Sequence, residues 1–301
     1  MPGCIKVIKK PLLRHTFLKK IPPLSTSIDT QSILVPSPIT IWIHGTRLLP
    51  ISFFKQSFYS KPGLHHYTQL ESHYRQHKIA QVLIASNSTY FCPQEFYLFG
   101  WNGKLSAQER KKAALHLYEE LKLLRVNYEK QYKTKPVIRI ICHSHGGNIA
   151  LLLAQMNDGN DNDFYVDQLI LLACPVQAQT MQYAYSSVFK KIYSFYSILD
   201  LLQIADPQGL QPEKKHYFPI FSQRLFPPHE KIEQVAITLN TRPLMHTEFV
   251  KLKFLSQIFS IIHEIDQWRE LALCPQQEWC KRNKCLCLNT LPKNRIGGCI
   301  G

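Results

Sequence analysis

Short, continuously apolar segments rich in β-branched residues recur along this chain, separated by longer segments with helical periodicity. Strands buried on both faces lack the polar alternation of a half-exposed strand, so such segments are typical of a parallel sheet. The predicted strands are Ile39–Ile43, Phe96–Phe99, Val137–Ile141, Gln168–Cys174, Lys191–Ser197 and Gln234–Leu239. The alternation predicts an α/β protein with a mostly parallel central sheet and helices on both faces.

Helical spacing is clearest after Ser106, where Ala114, Leu117, Leu121 and Leu124 recur at three- and four-residue steps. Three further helices are predicted: residues 67–85, a segment from about Gly147 to Gly159, and a long amphipathic segment at about 247–271. These helices would cover the two faces of the sheet.

The length of 301 residues suits one hydrophobic core with insertions. We expect residues 33–271 to form the main domain, with a proline-rich insertion near 207–232. Residues 1–32 are predicted to form an irregular basic arm, and residues 272–301 are predicted to form a basic, cysteine-rich tail. No segment approaches the roughly 20 apolar residues that cross a bilayer, and the N-terminus lacks the apolar core of a signal peptide.

The cellular context follows from these absences, and we expect a cytoplasmic protein. Its nine cysteines are then expected to be reduced thiols rather than a disulfide framework. Five of them lie in the tail, but paired Cys-x2-Cys knuckles are missing, so we expect no metal site.

The formal net charge of +15 favours anionic partners. The basic residues are spread along the chain and no nucleic-acid motif accompanies them, so nucleic acid is not the expected partner. Peripheral contact with an anionic membrane and a simply solvated basic surface both remain open.

The segment from Val137 to Gly147 is the most informative about chemistry. A buried strand leads directly into Ser144, and a helix begins immediately afterwards. A serine at a sharp strand-to-helix turn exposes its hydroxyl, and Gly146 avoids a collision at such a turn. The backbone N–H of His145 would then lie at the positive end of the helix.

The pentapeptide Cys142-His143-Ser144-His145-Gly146 resembles the Gly-x-Ser-x-Gly elbow of the α/β-hydrolase superfamily, particularly its lipases and esterases, with cysteine in place of the first glycine. His44-Gly45-Thr46 is similar to the His-Gly pair of that superfamily, and Gly100-Trp101-Asn102-Gly103 to one of its strand ends. The resemblance covers roughly residues 33–265. It implies an α/β-hydrolase domain, Ser144 as nucleophile and no cofactor.

The resemblance also implies an oxyanion hole, the group of N–H donors that stabilises the charged reaction intermediate. One donor would be the N–H of His145, and the second that of Thr46 or Arg47. Gly45 would let the backbone approach the site closely.

A triad acid and histidine should follow the nucleophile in that order. Asp200 lies just past the predicted strand Lys191–Ser197, and Asp206 in the same loop is the alternative acid. His246 follows the last predicted strand and precedes the long helix. Three histidines compete with it but lack that setting: His216, His229 and His263.

The expected function is hydrolysis of a carboxylic ester through an acyl-enzyme. Large apolar residues in segments 47–66 and 217–226 would suit a lipid or other acyl substrate, unless they only pack their own loops. Three rival classes of function remain: an inactive binding protein with a hydrolase fold, an acyltransferase or thioesterase with the same triad, and a nucleic-acid-binding protein.

Overall fold

A computed structural model describes residues 4–6, 36–46, 61–157, 164–205, 222–239, 242–272 and 285–288. Within these residues one mixed sheet forms the centre of the molecule. No helix in this part of the chain is long and apolar enough to cross a membrane.

The sheet contains ten strands in the described part of the chain. They are β1 (Cys4–Lys6), β2 (Ile39–Ile43), β3 (Gly63–His66), β4 (Phe96–Gly100), β5 (Ile138–His143), β6 (Val166–Leu172), β7 (Phe189–Tyr196), β8 (Ile232–Leu239), β9 (Arg242–Pro243) and β10 (Cys285–Leu288). The strand order is β1-β10-β8-β7-β6-β5-β2-β4-β3, with β9 paired to β8. Pairing is parallel except at β3, which runs antiparallel to β4, and at β9.

Five α-helices of the described residues cover the sheet: α1 (Arg75–Ser86), α2 (Ala107–Tyr132), α3 (Gly146–Asn157), α4 (Leu252–Leu255) and α5 (Ile258–Ala272). Helices α2 and α3 share one apolar cluster with residues such as Ile41 and Ile140. Helices α1 and α5 share a second cluster with residues such as Trp42 and Ile141. Neighbouring residues of one strand therefore face opposite cores, which explains the continuously apolar strand sequences.

This arrangement is an α/β-hydrolase fold with a mostly parallel sheet and helices on both faces, and the predicted fold class is confirmed. Each of the six predicted strands is present, with ends that differ by at most two residues. The domain boundaries remain a prediction, since much of the arm, the insertion and the tail lies outside the described residues. Strands β1 and β10 extend the sheet with residues from the predicted arm and tail.

Two helix predictions are wrong in part. The segment 67–85 begins with a short 3-10 turn at Tyr67–Gln69, and the α-helix starts only at Arg75. The segment 247–271 is divided into a 3-10 turn at His246–Val250 and the separate helices α4 and α5. The apolar spacing continues through these breaks, because every segment buries the same side against the sheet.

Candidate active site

The sheet topology places a crevice at the carboxyl ends of β2 and β5. The chain leaves β2 toward β4 on one side, and it leaves β5 toward β6 on the other. Ligands of open α/β sheets bind outside the strand ends where the direction of winding reverses in this way. The two segments beyond these ends are His44–Thr46 and Ser144–Gly146.

Ser144 occupies a sharp turn between β5 and α3. Its φ of +52° lies in the left-handed region, which costs a residue other than glycine about 1–2 kcal/mol. The backbone holds this conformation, because the Ser144 N–H donates to Leu172 O at 2.9 Å and the Gly147 N–H donates to Ser144 O at 2.9 Å. A strained residue held by its neighbours is a feature of functional sites.

Two glycines let the β2 loop pack against this turn. A Cβ atom on Gly45 would lie 2.8 Å from the Cβ of Ser144. A Cβ atom on Gly146 would lie 2.7 Å from His44 O and 2.8 Å from Ile43 O. The backbone at Gly45 thus passes close to Ser144, and Gly146 is required because its neighbours are backbone atoms.

Replacing Gly146 tests this packing. Gly146→Ala should lower the free energy of unfolding by about 2–3 kcal/mol, since the new methyl group forces two carbonyls apart. Urea unfolding followed by circular dichroism measures the change. A variant as stable as the wild type would mean that the β2 loop and the Ser144 turn are further apart than described.

The loop after β2 is held by hydrogen bonds from Trp101. Its indole N–H donates to His44 O at 2.8 Å, and its backbone N–H donates to His44 Nε2 at 3.4 Å. His44 Nε2 is therefore unprotonated, and the Nδ1–H donates to Gly45 O at 2.8 Å. Because C=O and N–H point in opposite directions across a trans peptide, this bond also sets the direction of the Thr46 N–H.

Of the predicted oxyanion-hole residues, the structure describes His145 and Thr46 but not Arg47. His145 is buried and follows Ser144 directly before α3, which places its backbone at a helix N-terminus. Burial, together with the charge of Arg110, holds the pKa of its imidazole well below the usual range. Thr46 is half-buried, whereas Arg47 lies outside the described residues.

Cys142 stands where the elbow pattern has its first glycine. The side chain is fully buried in the cluster under α2 and α3, and burial raises the pKa of the thiol. The neutral thiol of Cys142 therefore packs on the face of β5 that α2 and α3 cover. Cys92 and Cys174 are likewise buried free thiols.

Asp200 is buried in the loop after β7. One carboxylate oxygen accepts the N–H of Gln203 at 3.1 Å, and Arg224 Nη2 donates to the Asp200 carbonyl at 3.2 Å. The amide of Gln203 in turn donates to Cys174 O at 2.8 Å. The Asp200 carboxylate is therefore held by the Gln203 N–H, and the Asp200 backbone by Arg224, apart from any contact with a histidine.

The structure brings Asp200 and His246 together across the loops after β7 and β9. His246 Nδ1 donates to Asp200 Oδ2 at 2.8 Å, and the two side chains are 4% and 1% exposed. This bond leaves Nε2 of the neutral imidazole as an acceptor. The hydrogen bonds of the described residues include none between Ser144 Oγ and His246, and such contacts often form only once a substrate is bound.

His143 links the Ser144 turn to the His246 loop. Its Nε2–H donates to His246 O at 3.2 Å, and the two ring centroids are 4.8 Å apart. Burial and the nearby His246 lower the pKa of His143 to about 3. A neutral ring therefore packs against His246.

The two competing histidines that the structure describes do not reach this pair. His229 is exposed and packs on Tyr185, and His263 lies on the exposed side of α5 beside Gln267. Asp206 and His216 lie outside the described residues, as does most of the predicted insertion. The apolar segments 47–60 and 217–221 also lie outside the described residues.

Glu248 supports the His246 loop and was missed in the sequence. Its carboxylate accepts Arg242 Nη1 and Nη2 at 2.8 and 2.9 Å, the Met245 N–H at 2.9 Å and Lys251 Nζ at 2.8 Å. Only half of a capping box is present, because Met245 has no side-chain oxygen to accept a bond in return, so the sequence carried no Ser/Thr-x-x-Glu signal for Glu248. These bonds anchor both sides of His246.

Glu248 gives the stability of the protein a specific pH dependence. Chiefly through its hydrogen bonds to Arg242, its pKa falls from 4.5 to about 2. A depressed carboxyl pKa contributes stability that is complete above pH 4.5 and is lost as the pH falls toward 2. Glu248→Gln should cost about 2 kcal/mol at pH 7, and the difference from wild type should shrink below pH 4.5.

The control for this experiment is Glu119→Gln. Glu119 is exposed on α2 and pairs only with Lys122 among the contacts described for it, so its loss should be nearly neutral. Chemical unfolding of both variants between pH 3 and pH 7 gives the comparison. An unfolding free energy that differs from wild type by the same amount at every pH would contradict the role of the Glu248 charge.

In the described part of the chain no group of three or more His, Cys, Asp or Glu residues could hold a metal ion. Of the tail cysteines, Cys274, Cys280 and Cys299 lie outside the described residues.

Comparisons with known proteins give weak structural similarity alone. No protein-family model matches the chain, and no similar sequence is found among curated proteins. A hyperthermophilic esterase from the archaeon Pyrobaculum calidifontis aligns at 16% identity and a TM-score of 0.30, over 47% of this chain and 37% of that chain. A thermostable esterase from Pseudomonas putida aligns at 11% identity and a TM-score of 0.25, over 48% of this chain and 36% of that chain.

An arylesterase structure aligns over a longer stretch, 76% of this chain and 75% of that chain, at 12% identity and a TM-score of 0.39. The first two esterases are thus matched over well under two thirds of their own length. At these scores the neighbours support no inference about activity. The fold class follows from the strand order and connections.

Proposed function

We propose that the protein is a serine hydrolase that cleaves a carboxylic ester, with Ser144 as nucleophile, His246 as general base and Asp200 as the orienting acid. The observation that carries the proposal is the buried 2.8 Å bond between Asp200 and His246. That pair lies beside the strained Ser144 turn, to which His143 connects it. A buried carboxylate–imidazole pair at the winding reversal of an α/β sheet suits acyl transfer.

The proposed reaction has two halves. Ser144 Oγ attacks the ester carbonyl carbon while its proton passes to His246 Nε2, and the alcohol leaves with that proton. Water then attacks the acyl-enzyme, gives its proton to His246, and the acid is released as Ser144 regains a hydrogen. Asp200 keeps the proton on Nδ1 and offsets the charge of the imidazolium.

The backbone N–H groups of His145 and Thr46 are the proposed oxyanion-hole donors, with Arg47 as the alternative to Thr46. The Thr46 donor is supported by the Trp101–His44–Gly45 hydrogen bonds, which orient the Gly45–Thr46 peptide. Such preorganised donors act where charge develops, and losing one typically costs about 3 kcal/mol of the barrier reduction. No cofactor takes part in this scheme.

The proposed substrate is a lipid ester or another acyl ester. A series of p-nitrophenyl esters of increasing acyl length tests both the activity and this preference, with Ser144→Ala as control. We expect hydrolysis that depends on Ser144 and rises with chain length beyond acetate. Equal release by wild type and Ser144→Ala would contradict the proposal.

Transfer of the acyl group to an alcohol instead of water would make the protein an acyltransferase with the same residues. Complete inactivity toward esters and thioesters, with the fold intact, would indicate a binding protein on a hydrolase scaffold.

A further inference from the structure

The loop that carries Asp200 has an inverted distribution of polarity. Its buried side chains are polar, and its exposed side chains are large and apolar. The buried ones are Ser197, Asp200 and Gln203, while Ile198, Leu199, Leu201 and Leu202 are 48–67% exposed. Scattered exposed leucines are ordinary in soluble proteins, but a contiguous group indicates contact with something apolar.

Met245 adds to this surface from the His246 loop. It is 63% exposed and directly precedes His246, which is bonded to Asp200. We call these five side chains, Ile198, Leu199, Leu201, Leu202 and Met245, the apolar rim. Each lies within two residues of Asp200 or His246 in the chain, so the rim borders the candidate active site.

Cationic side chains lie directly beside the apolar rim. Arg224 donates to the carbonyl of Asp200, between Leu199 and Leu201 in the chain. Arg242 and Lys251 both bind Glu248, which accepts the N–H of Met245. These three cations against the two carboxylates of Asp200 and Glu248 leave a net charge of +1 at the rim, in a chain whose formal charge is +15.

We infer that the apolar rim docks the protein on an anionic lipid surface. Leucine and isoleucine side chains enter the acyl region while the neighbouring arginine and lysine side chains meet the anionic head groups. A protein docked at the same place would cover the entrance to Ser144. A lipid surface would instead present ester bonds to it, and this last reason rests on the proposed function.

The test uses the 301-residue chain carrying Ser144→Ala, so that binding is measured without hydrolysis. Vesicles of phosphatidylcholine alone are compared with vesicles that contain equimolar phosphatidylcholine and phosphatidylglycerol. Leu199→Gln/Leu201→Gln alters the rim, and Leu115→Gln/Leu123→Gln is the matched control on α2, where the two leucines are 51% and 62% exposed. All four changes replace exposed leucine, so thermal unfolding should be unchanged.

Co-sedimentation should increase with phosphatidylglycerol and decrease with salt. The rim variant should lose at least about tenfold in the vesicle partition coefficient, as expected when two leucines no longer leave water. The control variant should stay within about twofold of the parent protein.

Three outcomes would overturn the inference: no binding that depends on phosphatidylglycerol, equal losses in the rim and control variants, or a concentration-dependent dimer that only the rim variant disrupts. The last would assign the rim to a second copy of the chain. Labelling of Ser144 by a fluorophosphonate without vesicle binding would leave the proposed function standing. Vesicle binding by a protein whose Ser144 is not labelled would support docking on lipid and contradict the proposed function.

Discussion

Ser144→Ala should lower kcat for ester hydrolysis by at least about three decades and leave the fold intact. The activity is lost because the acyl-enzyme can no longer form. The fold persists because two backbone hydrogen bonds hold the Ser144 turn, and alanine retains both. In one the Ser144 N–H donates to Leu172 O, and in the other the Gly147 N–H donates to Ser144 O. Steady-state kinetics on a p-nitrophenyl ester, with circular dichroism for folding, measure both effects.

A suitable control for this variant is Ser106→Ala. Ser106 caps α2 by accepting the N–H of Glu109, far from the site in the chain, so the change should affect stability by about 1 kcal/mol and leave kcat unchanged. A folded Ser144→Ala protein that keeps most of the wild-type kcat would refute Ser144 as nucleophile.

Asp200→Asn should lower kcat by up to about four decades. An amide at this position donates a hydrogen bond to His246 Nδ1, so the imidazole proton moves to Nε2. In that tautomer the ring cannot accept the proton of Ser144. The substitution preserves volume and leaves an amide oxygen that can still accept the Gln203 N–H, so the loop should keep its shape.

The matched control for this change is Asp206→Asn, since Asp206 was the other candidate acid. We expect a mild effect there, unless Asp206 braces its loop. The comparison requires kcat and unfolding midpoints for both variants. If Asp206→Asn is the severely impaired variant and Asp200→Asn stays active, the proposed triad has the wrong acid.

Much of the fold was predictable because its local signals agree with its long-range pairing. Runs such as Ile39–Ile43 are apolar on both faces, and the structure gives each face its own core. The strand β3 was not predicted, since Gly63–His66 has no apolar pattern and pairs only with the distant residues Tyr97–Gly100. Its formation depends on tertiary contacts with β4.

The breaks around Ser256 were hidden for a different reason. Leu255, Ile258 and Ile262 keep the spacing of one amphipathic helix, and all three are buried on the same side. Hydrophobic periodicity reports which side is buried and is insensitive to a turn that preserves it. Short 3-10 and α-helical segments can therefore replace one long helix without changing the pattern.

For the candidate site, chain order identified Asp200 and His246 as partners, and the structure brings them into contact. Chain order could not identify the residues that hold them. Gln203 acts through backbone groups, which any sequence supplies. Glu248 binds the Met245 N–H and the side chains of Arg242 and Lys251, and the triad order says nothing about that pairing. The apolar rim was equally hidden, because a leucine in a sequence gives no indication of whether it is exposed.

Reaction with a fluorophosphonate probe tests the central claim most directly, because it reports the nucleophile without requiring the natural substrate. Peptide mapping of the labelled protein by mass spectrometry should find one adduct, on Ser144. Labelling should be abolished by Ser144→Ala and strongly slowed by Asp200→Asn. A folded protein that fails to react, or that carries the adduct on another residue, would contradict the assignment of Ser144, His246 and Asp200 as a catalytic triad.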